Sequence, residues 1–279
     1  MDMEATSYVK NEENLLKGLR WVLSSLKKMR KLEEFNLDFR FLYKELTDPS
    51  FRMQNFLRYN SIGGEVAINR YGLKFSNRTP TNALQEIFVE KVYSSYPEFI
   101  PSKKETVVDV GAQYGDYSIF LAKYIGVKKV YSFEPLVENY NIFKENIKLN
   151  NITNIEPYNI ALGDKTSEVE RGILDNMITI SESETKSTIK IEKLDNIPSI
   201  QEDFLKIDVE GFEMEVLNGA IENIKANMPN IIIEVHSYAL KAEVKKFLGD
   251  LGYKLRHKNG FRRDPLNGMN MAENLFFSK

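Results

Sequence analysis

Acidic side chains stand at the ends of short apolar runs in the second half of the chain, often beside a glycine or a histidine. These positions are Asp109 and Gly111, Glu134, Gly163 and Asp164, Asp208 and Glu210, and Glu234 and His236. In open α/β sheets, ligands bind beyond the carboxyl ends of the strands. A carboxylate there can hold a cation, accept hydrogen bonds or take up a proton, and histidine can act as an acid or a base. The pattern therefore predicts one site built from several strand ends.

The first apolar run, residues 106–112, leads into a turn that carries Gly111 and Gly115. Glycine lets the backbone approach a ligand closely and adopts positive φ without strain. The turn lacks the closely spaced glycine pair that accommodates a pyrophosphate at a helix N-terminus. Asp109 instead places a negative charge just before the turn, where a phosphate is repelled and an amino group is favoured. The turn thus favours a ligand without phosphate, although glycines that serve only packing would give the same pattern.

Two further acidic residues are placed where they could accept hydrogen bonds from a nucleoside. Glu134 lies 19 residues after Gly115, close to the offset of roughly 20 residues at which an acid hydrogen-bonds ribose hydroxyls. Asp164 is placed to accept a hydrogen bond from an adenine amino group, beside the backbone amides of Ala161 and Leu162, or is an ordinary turn aspartate. An adenosine cofactor without phosphate and with a cationic amino acid tail is S-adenosylmethionine, which is the cofactor that we predict.

The later strand ends predict a reactive centre. Lys206, Asp208 and Glu210 alternate with apolar residues, as do Glu234 and His236, so that each set shares one face of its strand. Charges within a central parallel strand are costly unless they are paired. If the two strands are neighbours, Asp208, Glu234 and His236 converge. Three interpretations stay open: His236 as a general base oriented by a carboxylate, a divalent cation such as Mg²⁺ held by the trio, or a structural ion network with Lys206.

An ordered set of motifs resembles the FkbM family of methyltransferases over about residues 80–279. The motifs are Val108-Asp-Val-Gly-Ala-x-x-Gly-x-Tyr-Ser118, Phe133-Glu-Pro135, Asn159-Ile-Ala-Leu-Gly-Asp164, Leu205-Lys-Ile-Asp-Val-Glu-Gly-x-Glu213, Val216-Leu-x-Gly219, Ile232-Ile-Glu-Val-His236 and Asn274-Leu-Phe-Phe277. Gln113 and Tyr114 depart from the Asn-Ile or Asn-x that the family often has in its turn, which matters little for backbone contacts.

The resemblance implies a Rossmann-like, S-adenosylmethionine-dependent fold with a seven-stranded sheet, and usually O-methylation of sugar or natural-product hydroxyls. It also implies a cofactor site. The predicted cofactor-binding residues are Asp109, Gly111, Ala112, Gly115, Glu134, Pro135, Ala161, Asp164 and Asp208. The predicted catalytic residues are His236, Asp208, Glu234 and Lys206, with no residue assigned firmly as a metal ligand.

Composition narrows the class of protein. The 279 residues include 38 basic and 40 acidic side chains, so overall charge gives no reason to expect nucleic acid. With no cysteine, disulfides, thiolate zinc sites and cysteine nucleophiles are excluded. No apolar run approaches the roughly 18 residues of a membrane-spanning helix, and the polar start does not look like a secretory signal. We therefore expect a cytoplasmic protein.

The elements that must position the site fall into two sections. Residues 1–100 read as a mainly helical N-terminal section, which we expect to cap the site or to form a homodimer. Its helix over residues 15–32 has an apolar stripe and a basic face, which also suits peripheral membrane contact. A second helical piece covers residues 35–46. Residues 65–75 alternate like a hairpin, and residues 81–93 read as a helix with Thr79 or Thr81 as its N-cap.

Residues 101–279 read as the cofactor-binding domain, because strands and helices alternate as in parallel α/β units. The predicted strands are residues 106–112, 129–133, 155–162, 204–209 and 231–235, with a closing hairpin of 253–257 and 274–277. Residues 169–180 and 188–191 read as inserted β structure. The predicted fold is a doubly wound, mostly parallel seven-stranded Rossmann-like sheet with an N-terminal mainly helical extension. His257 lies in a basic strand end and is expected on the surface.

The predicted function is methyl transfer to a hydroxyl of a sugar, glycan or small molecule, with His236 taking the proton. One alternative is an RNA (tRNA) methyltransferase, which the basic residues Arg256, Lys258, Arg262 and Arg263 favour modestly. Against it, the fourth strand is not followed by the Asn-Pro-Pro-Tyr or Asp-Pro-Pro-Tyr motif of amino-methylating enzymes. A second alternative is a non-catalytic domain that binds the cofactor without turnover.

Overall fold

The computed structural model describes residues 61–62, 65–68, 71–170, 188–198, 200–263 and 271–279. Ser61–Lys279 forms one compact unit. The helices predicted over residues 15–32 and 35–46 lie outside the described residues, so the capping, dimerisation and membrane roles of the front section stay predictions. Within the described part of the chain, no helix has the length and apolar character needed to cross a membrane.

A small antiparallel sheet precedes the main one. It consists of β1 (Ser61–Ile62), β2 (Glu65–Ile68) and β3 (Leu73–Ser76), which confirms the predicted hairpin. Helix α1 (Thr81–Gln85) follows and continues as a π-helical turn, Glu86–Glu90. The predicted N-cap is wrong, because Pro80 occupies that position without a side-chain cap. The Thr79 hydroxyl instead accepts a hydrogen bond from Asn146 Nδ2 at 3.0 Å, which ties this section to the main domain.

Strands and helices alternate over the rest of the chain. The strands are β4 (Thr106–Val110), β5 (Lys129–Phe133), β6 (Ile155–Tyr158), β7 (Ala161–Leu162), β8 (Ser167–Glu170), β9 (Thr188–Glu192), β10 (Phe204–Ile207), β11 (Asn230–Val235), β12 (Lys254–Arg263) and β13 (Met271–Ser278). The helices are α2 (Asp116–Ile119, extended by the π-helical Phe120–Ile125), α3 (Val137–Leu149), α4 (Glu213–Gly219), α5 (Ile221–Asn227) and α6 (Tyr238–Asp250).

The central sheet has seven strands in the order β12-β13-β11-β10-β4-β5-β6. All neighbouring pairs from β11 to β6 are parallel, whereas β13 runs antiparallel to both β11 and β12. The first strand of this sheet along the chain, β4, lies in its middle; β5 and β6 then extend one side, and β10, β11, β13 and β12 form the other side. This arrangement confirms the predicted doubly wound, mostly parallel sheet, and it places the carboxyl ends of β4, β5, β10 and β11 along one edge.

The core explains why these segments are strands. β4 is buried along its whole length, as expected for a central parallel strand. Alternate residues of β4, β10 and β11 share a face with helices α4 to α6. The buried residues of that layer include Val108, Val110, Leu205, Ile207, Ile231, Ile233, Val216, Leu217, Ile224, Val244 and Leu248. The rigid layer fixes the strand ends from which the polar side chains project.

Three strand predictions need correction. The first predicted strand, residues 106–112, ends at Val110, because Gly111 already belongs to the turn. The predicted third strand, residues 155–162, divides into β6 in the central sheet and β7 in a separate sheet of order β7-β9-β8. Asn159 causes the break, since its Nδ2 donates to the carbonyl oxygens of Glu134 and Pro135 at 2.9 and 3.0 Å. The fourth strand ends at Ile207 rather than Val209. Residues 171–187 of the predicted insertion lie outside the described residues, while β8 and β9 confirm its β character at either end.

Glu202, which lies just before β10, gives a prediction about pH. Its side chain is buried, Oε2 accepts a hydrogen bond from Asn227 Nδ2 at 3.0 Å, and Oε1 has no hydrogen-bond partner among the described residues. Burial raises the pKa of Glu202 from 4.5 to about 7. A raised carboxyl pKa means that the folded state binds the proton more tightly, so stability falls as pH rises from about 4.5 to 7.

Glu202→Gln removes this penalty. We expect the variant to gain about 1 to 3 kcal/mol of unfolding free energy at pH 8, and clearly less at pH 5. Urea denaturation at the two pH values measures the difference. Glu243→Gln, on the exposed side of α6, is the matched control and should change neither value. An equal effect of Glu202→Gln at both pH values would contradict the prediction.

Candidate active site

The turn between β4 and α2 is held by its own chain. The amides of Gly111 and Ala112 both donate to the Phe133 carbonyl at 3.0 Å, and the Gly115 amide donates to the Ala112 carbonyl at 2.7 Å. The Gln113 amide donates to Glu134 Oε2 at 2.9 Å. These four donors are therefore satisfied inside the protein and do not form a cradle for a phosphate. The inference that the turn is not a pyrophosphate site is in keeping with this geometry.

Both turn glycines have positive φ, 75° at Gly111 and 76° at Gly115. A Cβ at Gly111 would lie 1.8 Å from the backbone oxygen of Asp208, and one at Gly115 would lie 1.8 Å from Phe143 Cδ2. The atoms that require glycine here belong to the protein itself. Glycine is therefore required at positions 111 and 115 by the packing of the turn against the end of β10 and against α3. The close approach of these glycines to a ligand stays a prediction.

Glu134 lies immediately after β5 and is buried, with 3% of its surface exposed. Its Oε1 accepts the amide of Leu136 at 2.9 Å and the Asn139 side chain at 3.4 Å, while Oε2 accepts the amide of Gln113. Burial raises the pKa of Glu134 to about 7, against the lowering effect of these hydrogen bonds. The carboxylate has about four lone-pair positions and three donors, so it can still accept one hydroxyl donor while the amides fix its orientation.

A buried ion network joins β4 to β10. Asp109 is fully buried; its Oδ2 accepts the Ser118 hydroxyl at 2.5 Å and its Oδ1 lies 3.1 Å from Lys206 Nζ. Lys206 Nζ also donates to the carbonyl oxygens of Val110 and Gly111, at 3.3 and 2.9 Å. Burial lowers the pKa of Lys206, but the charges of Asp109 and Asp208 outweigh burial and leave this pKa above its usual value. Lys206 therefore stays charged and binds the turn to the strand ends.

Asp208, Glu234 and His236 converge at the carboxyl ends of β10 and β11, which are neighbouring parallel strands. One ligand atom from each of the three lies within 4.8 Å of the others. The Tyr93 hydroxyl connects the two carboxylates, donating to Asp208 Oδ2 at 2.6 Å and lying 3.3 Å from Glu234 Oε2. The structure thus brings these three predicted residues together, with Lys206 Nζ 4.0 Å from Asp208 Oδ2.

His236 is bound on both sides of its ring. Nδ1 lies 2.7 Å from Oε1 of the fully buried Glu213, and Nε2 lies 3.2 Å from Glu210 Oε2. Burial lowers the pKa of His236, but the hydrogen bond to Glu213 and the charges of Asp208 and Glu210 raise this pKa overall to about 9. The imidazole of the unliganded protein therefore carries two protons at neutral pH.

The remaining predicted cofactor residues lie around the end of β5. Pro135 and Asn159 line a small cleft together with Thr188 and Ile189 of β9. Ala161 pairs with Ile191 in the β7–β9 ladder, and Asp164 follows in an exposed turn. Roles of these residues in cofactor binding stay predictions.

Sequence reasoning missed three residues of the site. Tyr93 lies in the front section, and no local signal connects it to strand ends that come more than a hundred residues later. Asp116, in the first turn of α2, is buried, and burial raises its pKa to about 7, with Lys206 lowering and Asp109 raising it. Glu213 is the last residue of the motif Leu205–Glu213, and the signal that could have identified it is an acid on the same helix face as the apolar Val216 and Leu217.

His257 is half-buried rather than a plain surface residue. Its ring stacks on Tyr96 with 4.0 Å between centroids, and its Nε2 contacts the Glu98 carboxylate. The pairing fixes the edge strand β12 to the segment that follows α1. His257 therefore has a structural explanation and stands apart from the carboxyl-end cluster.

Negative charge exceeds positive charge at this edge of the sheet. The acids are Asp109, Asp116, Glu134, Asp208, Glu210, Glu213 and Glu234, against the cations Lys206 and His236. Asp116 and Glu134, with pKa values of about 7, are partly protonated at neutral pH, but the other five carboxyl groups still outnumber the two cations, and their field attracts a cationic ligand. The site fits a ligand that carries positive charge and lacks phosphate.

A sheet of this order, with a glycine turn after its first strand and acids at the following strand ends, defines a Rossmann-like methyltransferase domain. The family described as "Methyltransferase FkbM domain" matches residues 109–255. The chain belongs to the FkbM methyltransferase family.

Relatives differ in how much of the chain they share. "Methyltransferase 1" of Beauveria bassiana is 23% identical over 180 residues, which cover 54% of this chain and 71% of the relative. A tRNA(Phe) (4-demethylwyosine(37)-C(7)) aminocarboxypropyltransferase of Methanocaldococcus jannaschii is 44% identical over 59 residues, or 21% of this chain and 24% of the relative. A methyltransferase FkbM from Methylobacillus flagellatus has a TM-score of 0.47 at 18% identity, covering 84% of this chain and about half, 52%, of that chain.

Proposed function

We propose that the protein uses S-adenosylmethionine to methylate a hydroxyl of a sugar, glycan or other small-molecule acceptor. The cofactor proposal rests on one observation: carboxylates outnumber cations around the turn after β4, and the amides of this turn already donate hydrogen bonds within the protein. S-adenosylmethionine is a sulfonium with an ammonium group and no phosphate, so its charge is complementary to this edge. When bound, it supplies an activated methyl group.

The residues proposed to hold the cofactor follow from their placement. Glu134 accepts a ribose hydroxyl, Asp109 and Asp116 provide negative charge for the amino acid tail, and Pro135 bounds the cleft beside the adenosine. Gly111, Ala112 and Gly115 shape the turn, whereas Ala161 and Asp164 are proposed for the adenine side. Asp208 adjoins both the cofactor and the acceptor.

O-methylation is supported by the cluster of Asp208, Glu234 and His236. An acceptor hydroxyl must lose its proton as oxygen, carbon and sulfur come into line. The carboxylates of Asp208 and Glu234 are proposed to receive that proton, because the His236 imidazole, within 4.8 Å of both, already carries two protons in the unliganded protein. Lys206 acts by holding β4 and β10 together, which fixes Asp208 relative to the turn.

Calorimetry with S-adenosylhomocysteine tests the cofactor. We expect micromolar binding by the full chain, no binding of NAD, and a weakening of about 10- to 100-fold in Glu134→Gln, which loses a charge-assisted hydrogen bond. Glu156→Gln, near the start of the next strand and half-exposed beside Lys129, is the matched control and should bind like the parent protein. NAD binding, or unchanged affinity in Glu134→Gln, would contradict the proposal.

RNA modification is a second candidate, supported by the 59-residue match to a tRNA-modifying relative. The charge of the basic patch is lower than its sequence suggests, because Lys258 Nζ lies 3.6 Å from the Glu273 carboxylate. Filter binding of tRNA over a salt series separates the two functions. Submicromolar binding with a steep salt dependence would favour RNA, whereas weak binding would favour a small acceptor.

Turnover separates an enzyme from a domain that binds the cofactor alone. A coupled assay that detects S-adenosylhomocysteine in the presence of a panel of sugars and hydroxylated small molecules is the direct measurement. The cytoplasmic location and the homodimer stay predictions.

A further inference from the structure

We propose that Asp208, Glu234 and His236 form a binding site for one divalent cation of the Mg²⁺ or Mn²⁺ class. The site lies at the carboxyl ends of β10 and β11, between the turn and the start of α6. Its existence can be tested without any acceptor, while its role in catalysis rests on the proposed function.

The first argument is the direction of the ligand atoms. Tyr93 occupies the outer oxygens of the two carboxylates, Asp208 Oδ2 and Glu234 Oε2. The inner oxygens, Asp208 Oδ1 and Glu234 Oε1, each lie 3.9 Å from His236 Nε2. Octahedral ligands at about 2.1 Å from a metal are about 3.0 Å apart when adjacent and about 4.2 Å apart when opposite. The observed separations therefore need changes of less than an ångström to enclose an ion.

The second argument is the support behind the imidazole. Metal-binding histidines commonly donate their other ring N–H to a carboxylate, which fixes the tautomer and the ring orientation. Glu213 has this position, with Oε1 2.7 Å from Nδ1 and 2.9 Å from the amide of Gly211. Glu213 is fully buried and aimed at the ring, and its Oε2 has no hydrogen-bond partner among the described residues. A buried carboxylate left in this state favours a positive charge close by.

The third argument is the balance of charge. Lys206 neutralises the cluster only in part, because its Nζ lies 3.1 Å from Asp109 but 4.0 Å from Asp208. Glu210 adds a further carboxylate 3.2 Å from Nε2. The two carboxylates suit Mg²⁺ or Mn²⁺, both of which keep further positions for water or for oxygen atoms of another ligand, and His236 would add one nitrogen ligand. A cation at this point would also make an acceptor hydroxyl easier to deprotonate.

Titration of the full chain with Mn²⁺, followed by electron paramagnetic resonance, tests the proposal. We expect one Mn²⁺ per chain, competition by Mg²⁺, and at least tenfold weaker binding in Asp208→Asn and in Glu234→Gln. Glu98→Gln is the matched control, since it removes the carboxylate beside the other histidine, and it should leave Mn²⁺ binding unchanged.

Proton NMR gives a second readout that requires no variant in the cluster. The chain has 2 histidines, so His257→Gln assigns both ring signals. Mn²⁺ should broaden the His236 signal at substoichiometric amounts and leave His257 sharp. Equal broadening of both rings, or variants that bind Mn²⁺ as tightly as the parent protein, would overturn the metal site.

S-adenosylhomocysteine binding, measured separately, keeps the two proposals distinguishable. Cofactor binding without Mn²⁺ binding would remove the metal site and leave the proposed function intact. Mn²⁺ binding without cofactor binding would support the metal site and contradict the proposed function.

Discussion

Gly111→Ala is expected to destabilise the protein by about 3 to 5 kcal/mol, enough to abolish most folded protein at 37 °C. The added Cβ would lie 1.8 Å from the Asp208 carbonyl oxygen and 2.9 Å from its carbon, at a position with φ of 75°. Neither atom can move without separating β4 from the end of β10, because both belong to the backbone of Asp208, which directly follows β10. Soluble yield and urea denaturation measure the loss.

Two other glycine variants distinguish the steric clash with Asp208 from the backbone strain of a positive φ. Gly72→Ala has a similar φ of 66° with nothing within 4 Å of the new Cβ, so it should cost only about 1 kcal/mol. Gly249→Ala adds a methyl group to α6 in open space and should be neutral or stabilise by up to about 1 kcal/mol. If Gly111→Ala were no worse than Gly72→Ala, the close approach of Asp208 to the turn would be wrong.

Lys206→Met should cost about 3 to 5 kcal/mol, because it leaves a buried carboxylate without its counter-ion. Asp109 is fully buried and lies 3.1 Å from Lys206 Nζ, and the carbonyl oxygens of Val110 and Gly111 lose a donor at the same time. Methionine fills a similar volume without charge, so the loss is electrostatic rather than a cavity. Urea denaturation at pH 7 measures it.

A second substitution shows whether the pair is responsible. Asp109→Asn combined with Lys206→Met should recover part of the loss, since it removes the uncompensated charge. Lys246→Met is the control: its ion pair with Asp250 lies on the surface, and its removal should cost at most about 0.5 kcal/mol. A Lys206→Met variant as stable as the control, or no recovery in the double variant, would show that the network contributes little.

Periodicity predicted the central sheet because its strands are bounded by turn residues and because β4 and β10 at its centre are buried on both faces. β5 lies where the sequence placed it, and the closing hairpin is present but longer than predicted, with β12 reaching Arg263 and β13 starting at Met271. The predictions failed where long-range contacts override local pattern. The Asn159 side chain reaches the carbonyl oxygens after β5 and ends β6, and the Thr79 hydroxyl is used by Asn146 of α3 rather than by its own helix.

The site shows the same division. The motif order indicated the FkbM family, and polar residues at strand ends indicated which side chains share an edge, because parallel strands that are neighbours end together. Asp208, Glu234 and His236 were brought together by that rule alone. The sequence could not show that Tyr93 lies between Asp208 and Glu234, because Tyr93 precedes Asp208 by 115 residues and no spacing rule connects residues so far apart.

The sequence by itself determined the family, the order of strands and helices in the main domain, and five of the acids at its carboxyl edge, namely Asp109, Glu134, Asp208, Glu210 and Glu234. These follow from local periodicity and from residue types, which a chain displays without folding. Tertiary structure alone decided that Asp208 and Phe143 pack so closely on Gly111 and Gly115 that no side chain fits there. It also decided that Lys206 forms an ion pair with Asp109, and that Glu213 orients the imidazole ring of His236 by a hydrogen bond. The reason is physical: charge state and orientation depend on burial and on distances between segments, and those quantities exist only once the strands have packed.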